Sequence, residues 1–257
     1  MGKIIAVANQ KGGVGKTTTV INLGFALGSL GKKILLVDAD PQSNTTSGII
    51  GRKDIRPSLY DSLIQDLHVK EIIHPLREGE NSLRENLYII PSNIDLAGAE
   101  IELVSAFLRE LRLKKVLEPI IDDFDYIFID CPPSLGLLTV NALTCAHYVL
   151  IPLQCEYYAL EGISQLLRTI DLIKRNLNKD LEILGILLTM YGRTSLSQQV
   201  VDEARKFFKD KVFKTIIPRN VRLSEAPSFS QSIFEYAPES SGALAYKELA
   251  KELIKNG

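Results

Sequence analysis

Eight consecutive residues, Lys11-Gly12-Gly13-Val14-Gly15-Lys16-Thr17-Thr18, combine glycine, lysine and hydroxyl at a spacing suited to gripping a polyphosphate. Glycines let backbone N–H groups turn inward around phosphate oxygens, and a helix opening at the end of the loop adds partial positive charge. In such a loop Lys16 reaches the terminal phosphates and the Thr17 hydroxyl ligates Mg²⁺. The ordinary pattern has glycine at position 10, where this chain has Gln10; it carries instead a second lysine, Lys11, inside the loop. The spacing KGGxGK[ST] arises by chance on the order of once in ten thousand chains of this length. That rarity weighs against a glycine-rich turn with incidental lysines.

Two acidic groups follow apolar runs: Asp38 and Asp40 in Val37-Asp38-Ala39-Asp40-Pro41-Gln42, and Asp130 in Ile129-Asp130-Cys131-Pro132-Pro133. Phosphoryl transfer to water needs a carboxylate near Mg²⁺ and a group that positions the attacking water. Asp130 suits the first role, either as a direct ligand or through a metal-bound water. Asp40 suits the second, and Asp38 supports the loop, Thr17 or the metal's waters. Aspartates also cap strand-to-loop turns for purely structural reasons, and that reading stays open for each of them.

These residues need a scaffold that brings separate loops together. Short β-branched runs are expected as strands at 4–8, 34–37, 87–90, 126–129, 148–151, 183–189 and 212–217. They are apolar on both faces, the mark of a parallel sheet covered on each side. Leu103, Phe107, Leu108, Leu111 and Val116 repeat at helical spacing, as do Leu166, Ile170 and Ile173. Alternating strands and helices predict a doubly wound α/β fold with a mostly parallel sheet of about seven strands flanked by helices. Ligands of such sheets bind at the carboxyl ends of the strands, where the lysines and aspartates fall. No linker or repeat interrupts residues 1–257, so one domain is expected; 48–85 reads as polar surface helices and loops, and 243–254 as an amphipathic closing helix.

A net charge of −1 excludes a globally basic nucleic-acid binder but not a local basic patch. Cys131, Cys145 and Cys155 form no paired framework and no CxxC site, which points to reduced structural thiols. No signal peptide is evident, and no apolar run approaches the ~20 residues of a spanning helix; a cytoplasmic location is expected.

The loop with two lysines is that of the deviant P-loop NTPases, the ParA/MinD/nitrogenase iron-protein superfamily. The chain most resembles ParA/Soj chromosome-partitioning ATPases, through NQKGGVGKTT (9–18), LLVDADPQ (35–42), LAGAEIEL (96–103), IDCPPSLGLLTVNAL (129–143), PLQCEYYALEG (152–162) and IPRNVRLSEAPS (217–228). The resemblance implies weak intrinsic ATPase activity with ATP and Mg²⁺, and a homodimer in which Lys11 reaches the partner's nucleotide. Gly12 would sit where two loops face each other. Asp40 matches the family's hydrolysis residue, and Pro218 and Asn220 its adenine contacts. The family's ATP dimer binds DNA without sequence preference, is nucleoid-associated and is stimulated by a ParB partner; Arg193 and Arg222 match its DNA-binding positions. A replication initiator is a further partner open to such a switch.

The chain also departs from that family. Basic residues expected near the DNA surface are replaced by Gln231, Glu239 and Ser241, so DNA binding is expected to be weaker or shifted to Lys206, Lys209, Lys211 and Lys214. Rival readings are a MinD-like membrane ATPase and an iron–sulfur protein. The glutamates of the closing helix argue against membrane anchoring, and the contexts of the three cysteines against a cluster.

Overall fold

The computed structural model describes residues 2–76, 82–156 and 159–256, with the side chains of all these except 159–161 and 256. Strands β1 (Lys3–Val7), β2 (Ile34–Asp38), β3 (His74–Pro75), β4 (Leu87–Ile90), β5 (Tyr126–Asp130), β6 (Tyr148–Gln154) and β7 (Glu182–Thr189) form one sheet. Its order is β3-β4-β2-β5-β1-β6-β7, parallel throughout except for β3, which pairs antiparallel with β4 at one edge. The doubly wound expectation holds. Every residue of β2 and β5 is buried, because helices cover both faces and leave no side of either strand to water.

Alternate residues of each strand feed two separate cores. Ile4, Ala6, Leu35, Val37, Ile127 and Ile129 point to one side. There they meet α4 (Leu96–Glu102), α5 (Arg112–Leu117), α6 (Leu137–Cys145), α7 (Ala159–Asn176) and α8 (Ser195–Phe208). Ile5, Val7, Leu36 and Phe128 point to the other. That face is covered by α1 (Lys16–Ser29) and α11 (Ser241–Asn256), locked together where Thr19 and the buried Tyr246 hydroxyl share a 3.1 Å hydrogen bond. The closing helix thus buries its apolar face, Ala243, Tyr246, Leu249, Ala250 and Leu253, within the protein. Among the described residues no helix is long and apolar enough to cross a membrane.

Three expectations need correction. Residues 212–217 are not a strand: they run parallel beside β7 and give the Phe213 and Ile217 N–H groups to the Ile186 and Leu188 carbonyls at 3.0 and 2.9 Å, but form only isolated bridges, Ile186 with Val212 and, just beyond, Tyr191 with Pro218. The reason is Glu252 on α11, whose carboxylate accepts the N–H groups of Lys214 and Thr215 at 2.7 and 3.0 Å; Thr215 lies between the two residues that donate to β7, so its N–H is the one a continuous ladder lacks. The apolar series 103–116 is not one helix: the chain breaks at Leu108, in the left-handed region at φ 51°, and leaves Phe107 and Leu108 exposed. Finally, 48–85 is not wholly a surface segment. After α2 (Asn44–Ile50), helix α3 (Leu59–Ile64) and the following turn bury Leu59, Leu63, Val69 and Ile72 in the core.

Candidate active site

The parallel register places Val7, Asp38 and Asp130 in one row across β1, β5 and β2. Every loop that leaves this row therefore starts from the same carboxyl edge of the sheet. The loop after β1 is residues 8–15, and α1 opens directly from it at Lys16. Gly13 and Gly15 have φ of 74° and 93°, which only glycine adopts without strain. Gly12 differs: its backbone needs no glycine, and a Cβ there would meet no atom within 4 Å.

The loop is tied at three points. Asn9 donates from Nδ2 to the Pro152 carbonyl at 2.7 Å and accepts the Lys11 N–H at 3.0 Å. The Thr189 hydroxyl, at the end of β7, donates to the Val14 carbonyl at 2.8 Å. Lys16 folds inward, nearly buried, with Nζ 3.4 Å from the Lys11 carbonyl. Burial lowers its pKa, an effect opposed by the nearby Asp130 and Asp40 carboxyls. Lys11 points the other way and stays half-exposed, its ammonium 3.6 Å from Glu156. The two lysines, alike in sequence, thus face inward and outward.

Asp130 collects two hydroxyls on one oxygen: Thr17 and Thr45 each donate to Oδ2 at 2.7 Å. Its Oδ1 is buried without a partner among the described residues. Each threonine spends its one hydroxyl proton on Asp130, which leaves the Thr17 oxygen lone pairs for a cation. An orphaned carboxylate oxygen beside such a hydroxyl fits Mg²⁺. No group of three or more His, Cys, Asp or Glu among the described residues could hold a metal ion alone, so phosphate and water would complete the set.

Asp38 is saturated. It accepts the Thr46 N–H and hydroxyl at 2.8 and 2.7 Å and the Asp40 N–H at 3.2 Å. It therefore shapes the 39–46 loop and stands behind the threonines. Asp40 is nearly buried, accepts the Gln42 N–H at 2.9 Å, and has its own carbonyl held by the Ser92 hydroxyl at 2.8 Å.

Thr18 and Gly15 line a cavity of about 280 Å³ with Met190, Pro218, Asn220 and Tyr246. A larger hollow, about 500 Å³, lies at the amino ends of the strands and mixes Lys32 and Lys33 with Asp123 and Asp125. It is remote from the glycine loop. In the smaller cavity the Asn220 side chain is already engaged: it accepts the Arg222 N–H at 2.9 Å and donates to Ser241 at 3.0 Å. A base there would meet the Pro218–Asn220 backbone and apolar walls.

Arg193 is exposed on the turn between β7 and α8. Arg222, on α9 (Val221–Glu225), pairs with Glu225 at 2.9 Å and lies over the ring of Tyr236 on the short helix α10 (Ile233–Tyr236). The three cysteines are buried free thiols, their pKa values raised chiefly by burial: Cys145 to about 12, Cys155 to about 11 and Cys131 well above the usual range. Tyr157 and Tyr158 of the 152–162 segment lie outside the described residues.

Asn9, Thr45, Thr46, Ser92, Glu156 and Thr189 were not foreseen as site residues. The hydroxyl run Thr45-Thr46-Ser47, two residues after the DxDPQ stretch, is the sequence signal for the threonines.

A strand–loop–helix with an inward lysine, a threonine on a strand-end aspartate and a cavity for a base defines a P-loop ATPase. A family model described as an AAA domain matches residues 2–183. The sporulation initiation inhibitor protein Soj of Bacillus subtilis is 58% identical over the full length of both chains. The chromosome partitioning protein ParA of Myxococcus xanthus is 53% identical, covering 99% of this chain and 89% of its own. Among solved structures, a Mycobacterium smegmatis protein described as cobyrinic acid a,c-diamide synthase, with bound ATP analogue and magnesium, superposes with a TM-score of 0.84. It is 40% identical and covers 99% of this chain and 95% of its own. The cell division ATPase MinD of Pyrococcus furiosus gives a TM-score of 0.80 at 28% identity, over all of both chains. The chain belongs to the Soj/ParA family of chromosome-partitioning ATPases.

Proposed function

We propose that this chain is a partitioning ATPase whose ATP–Mg²⁺ complex joins two copies into a sandwich that binds DNA without sequence preference. Gly12 carries the reading. Nothing in its own protomer fills the space beside it, so Gly12 presents bare backbone that a second copy's loop can approach closely. Lys11 adds support, since it projects off the loop instead of into it.

In this reading the 12–18 backbone and Lys16 bind the phosphates, and Pro218 and Asn220 flank the base. Thr17 and Asp130, directly or through water, hold Mg²⁺, which neutralises phosphate charge. Asp38 fixes Thr46 behind them. Lys11 leaves Glu156 for the partner's nucleotide, an exchange of low cost because exposed ion pairs are worth about 0–1 kcal/mol. Asp40 orients water in line with the γ-phosphorus. The new P–O bond forms as the bond to the β-phosphate oxygen breaks, giving ADP and phosphate. Loss of that phosphate removes what the two copies share, and the dimer parts. Intrinsic turnover is slow and a ParB-like protein accelerates it, so the chain resides on the nucleoid between resets. Arg193, exposed on the β7–α8 turn, is the stronger DNA candidate; Arg222 must first give up Glu225.

The deciding experiment measures binding of Asp40→Ala protein to non-specific duplex DNA with ATP and with ADP across a salt series. ATP-dependent binding that weakens with salt is expected. A protein that dimerises with ATP yet ignores DNA at low salt would overturn the DNA arm and leave the ATPase standing.

A further inference from the structure

Helix α4 is apolar on two opposite sides. Leu96, Ala99 and Leu103 are fully buried beneath it. On its outer side Ile101 is 77% exposed, flanked by Ile94 before the helix and Val104 after it at 72% and 57%, and Phe107 and Leu108 continue the surface at 86% and 53%. With the small residues Ala97 and Gly98 between Ile94 and Ile101, the apolar surface runs along the whole exposed side of the segment, from the turn before α4 to the break at Leu108. Isolated exposed apolar side chains are ordinary, but five large ones together on one segment mark a contact surface.

Its neighbours say what covers it. Ile94 borders a hollow shared with Pro41, Gln42 and Ser43, the residues directly after Asp40. Glu100 presses on the loop after Asp130, where a Cβ on Gly136 would come within 2.2 Å of it. The ridge is therefore continuous with the two loops that leave the active-site carboxylates. The charges along and just beyond the ridge are also divided: Asp95, Glu100 and Glu102 lie along it, and Arg109, Arg112, Lys114 and Lys115 follow it. A two-fold axis across the ridge can set each acidic stretch against the other copy's basic stretch, the self-complementarity that an isologous interface requires.

We propose that the 94–108 ridge is the outer part of the contact between two copies of this chain, packed ridge to ridge when nucleotide closes the dimer. The inference rests on the sandwich reading above. Sedimentation velocity with a non-hydrolysable ATP analogue and Mg²⁺ tests it, on the parent chain and on Ile101→Lys and Phe107→Ser. Both positions are exposed in the protomer, so ADP affinity and the melting temperature of the free monomer should match the parent. The analogue-bound dimer should weaken about tenfold or more in each variant. Variants that dimerise as tightly as the parent would overturn the proposal and give the ridge to a different partner. A parent that stays monomeric with the analogue would instead overturn the sandwich itself, and the ridge contact with it.

Discussion

Asp38 and Asp130 stand directly opposite each other at the ends of β2 and β5, and both carboxyls are fully buried. Burial raises both pKa values, and for Asp38 the Asp130 charge adds to it, pushing that carboxyl to about 8 from an ordinary 3.8. Between those limits the folded nucleotide-free chain holds a proton that the unfolded chain has released, so stability falls as pH rises. Melting temperature should therefore drop between pH 6 and pH 8, and Asp38→Asn should flatten that slope. An unchanged slope in the variant would place the burden elsewhere.

Thr45 and Thr17 share Asp130 Oδ2. Thr45→Val leaves Thr17 as the sole donor, and a hydrogen bond to a buried charge contributes about 1.5–3 kcal/mol. Nucleotide affinity should fall more with Mg²⁺ present than with the metal chelated, read by calorimetric titration under both conditions. Equal losses would mean that Thr45 acts only on the fold.

Gly12→Val should bind ATP yet remain monomeric, because a Cβ at 12 meets nothing in its own protomer. Light scattering with ATP reads the oligomeric state, and fluorescent-nucleotide titration checks that the loop still binds. A variant that dimerises normally would remove Gly12 from the interface.

Arg193→Glu should abolish DNA binding and keep ATP-dependent dimerisation. In the milder Arg193→Ala, loss of one phosphate contact per protomer should lower the salt slope of the dimer by about 2. Arg222→Ala should cost less than Arg193→Ala, since Arg222 begins paired with Glu225. The reverse order would make Arg222 the principal contact.

Glu252→Ala removes the acceptor for two backbone N–H groups and the Thr215 hydroxyl. Unmet, these donors should cost about 1–3 kcal/mol in a urea titration. A loss within error would mean that residues 212–217 re-pair with β7.

The sequence by itself determined the strands β1, β2, β4, β5, β6 and β7, the phosphate loop and the acidic strand ends, because each is a local pattern. Two-sided apolar runs favour strands in a covered parallel sheet, and Lys16-Thr17 after a glycine loop has one well-suited chemistry. It also held the clue to Gly12, although only the built loop revealed that its own protomer leaves that position open. Tertiary structure alone decided which way each lysine turned, since Lys11 and Lys16 differ in their surroundings and not in type. It decided as well that Thr45 would join Thr17 on Asp130, and that Asn9 and Thr189 would tie down the loop. Those contacts span 85 to 175 residues of chain, and no local propensity records them. The failed strand at 212–217 has the same cause: its residues favour a ladder, but Glu252, thirty-seven residues from Thr215, competes for the backbone donors and wins.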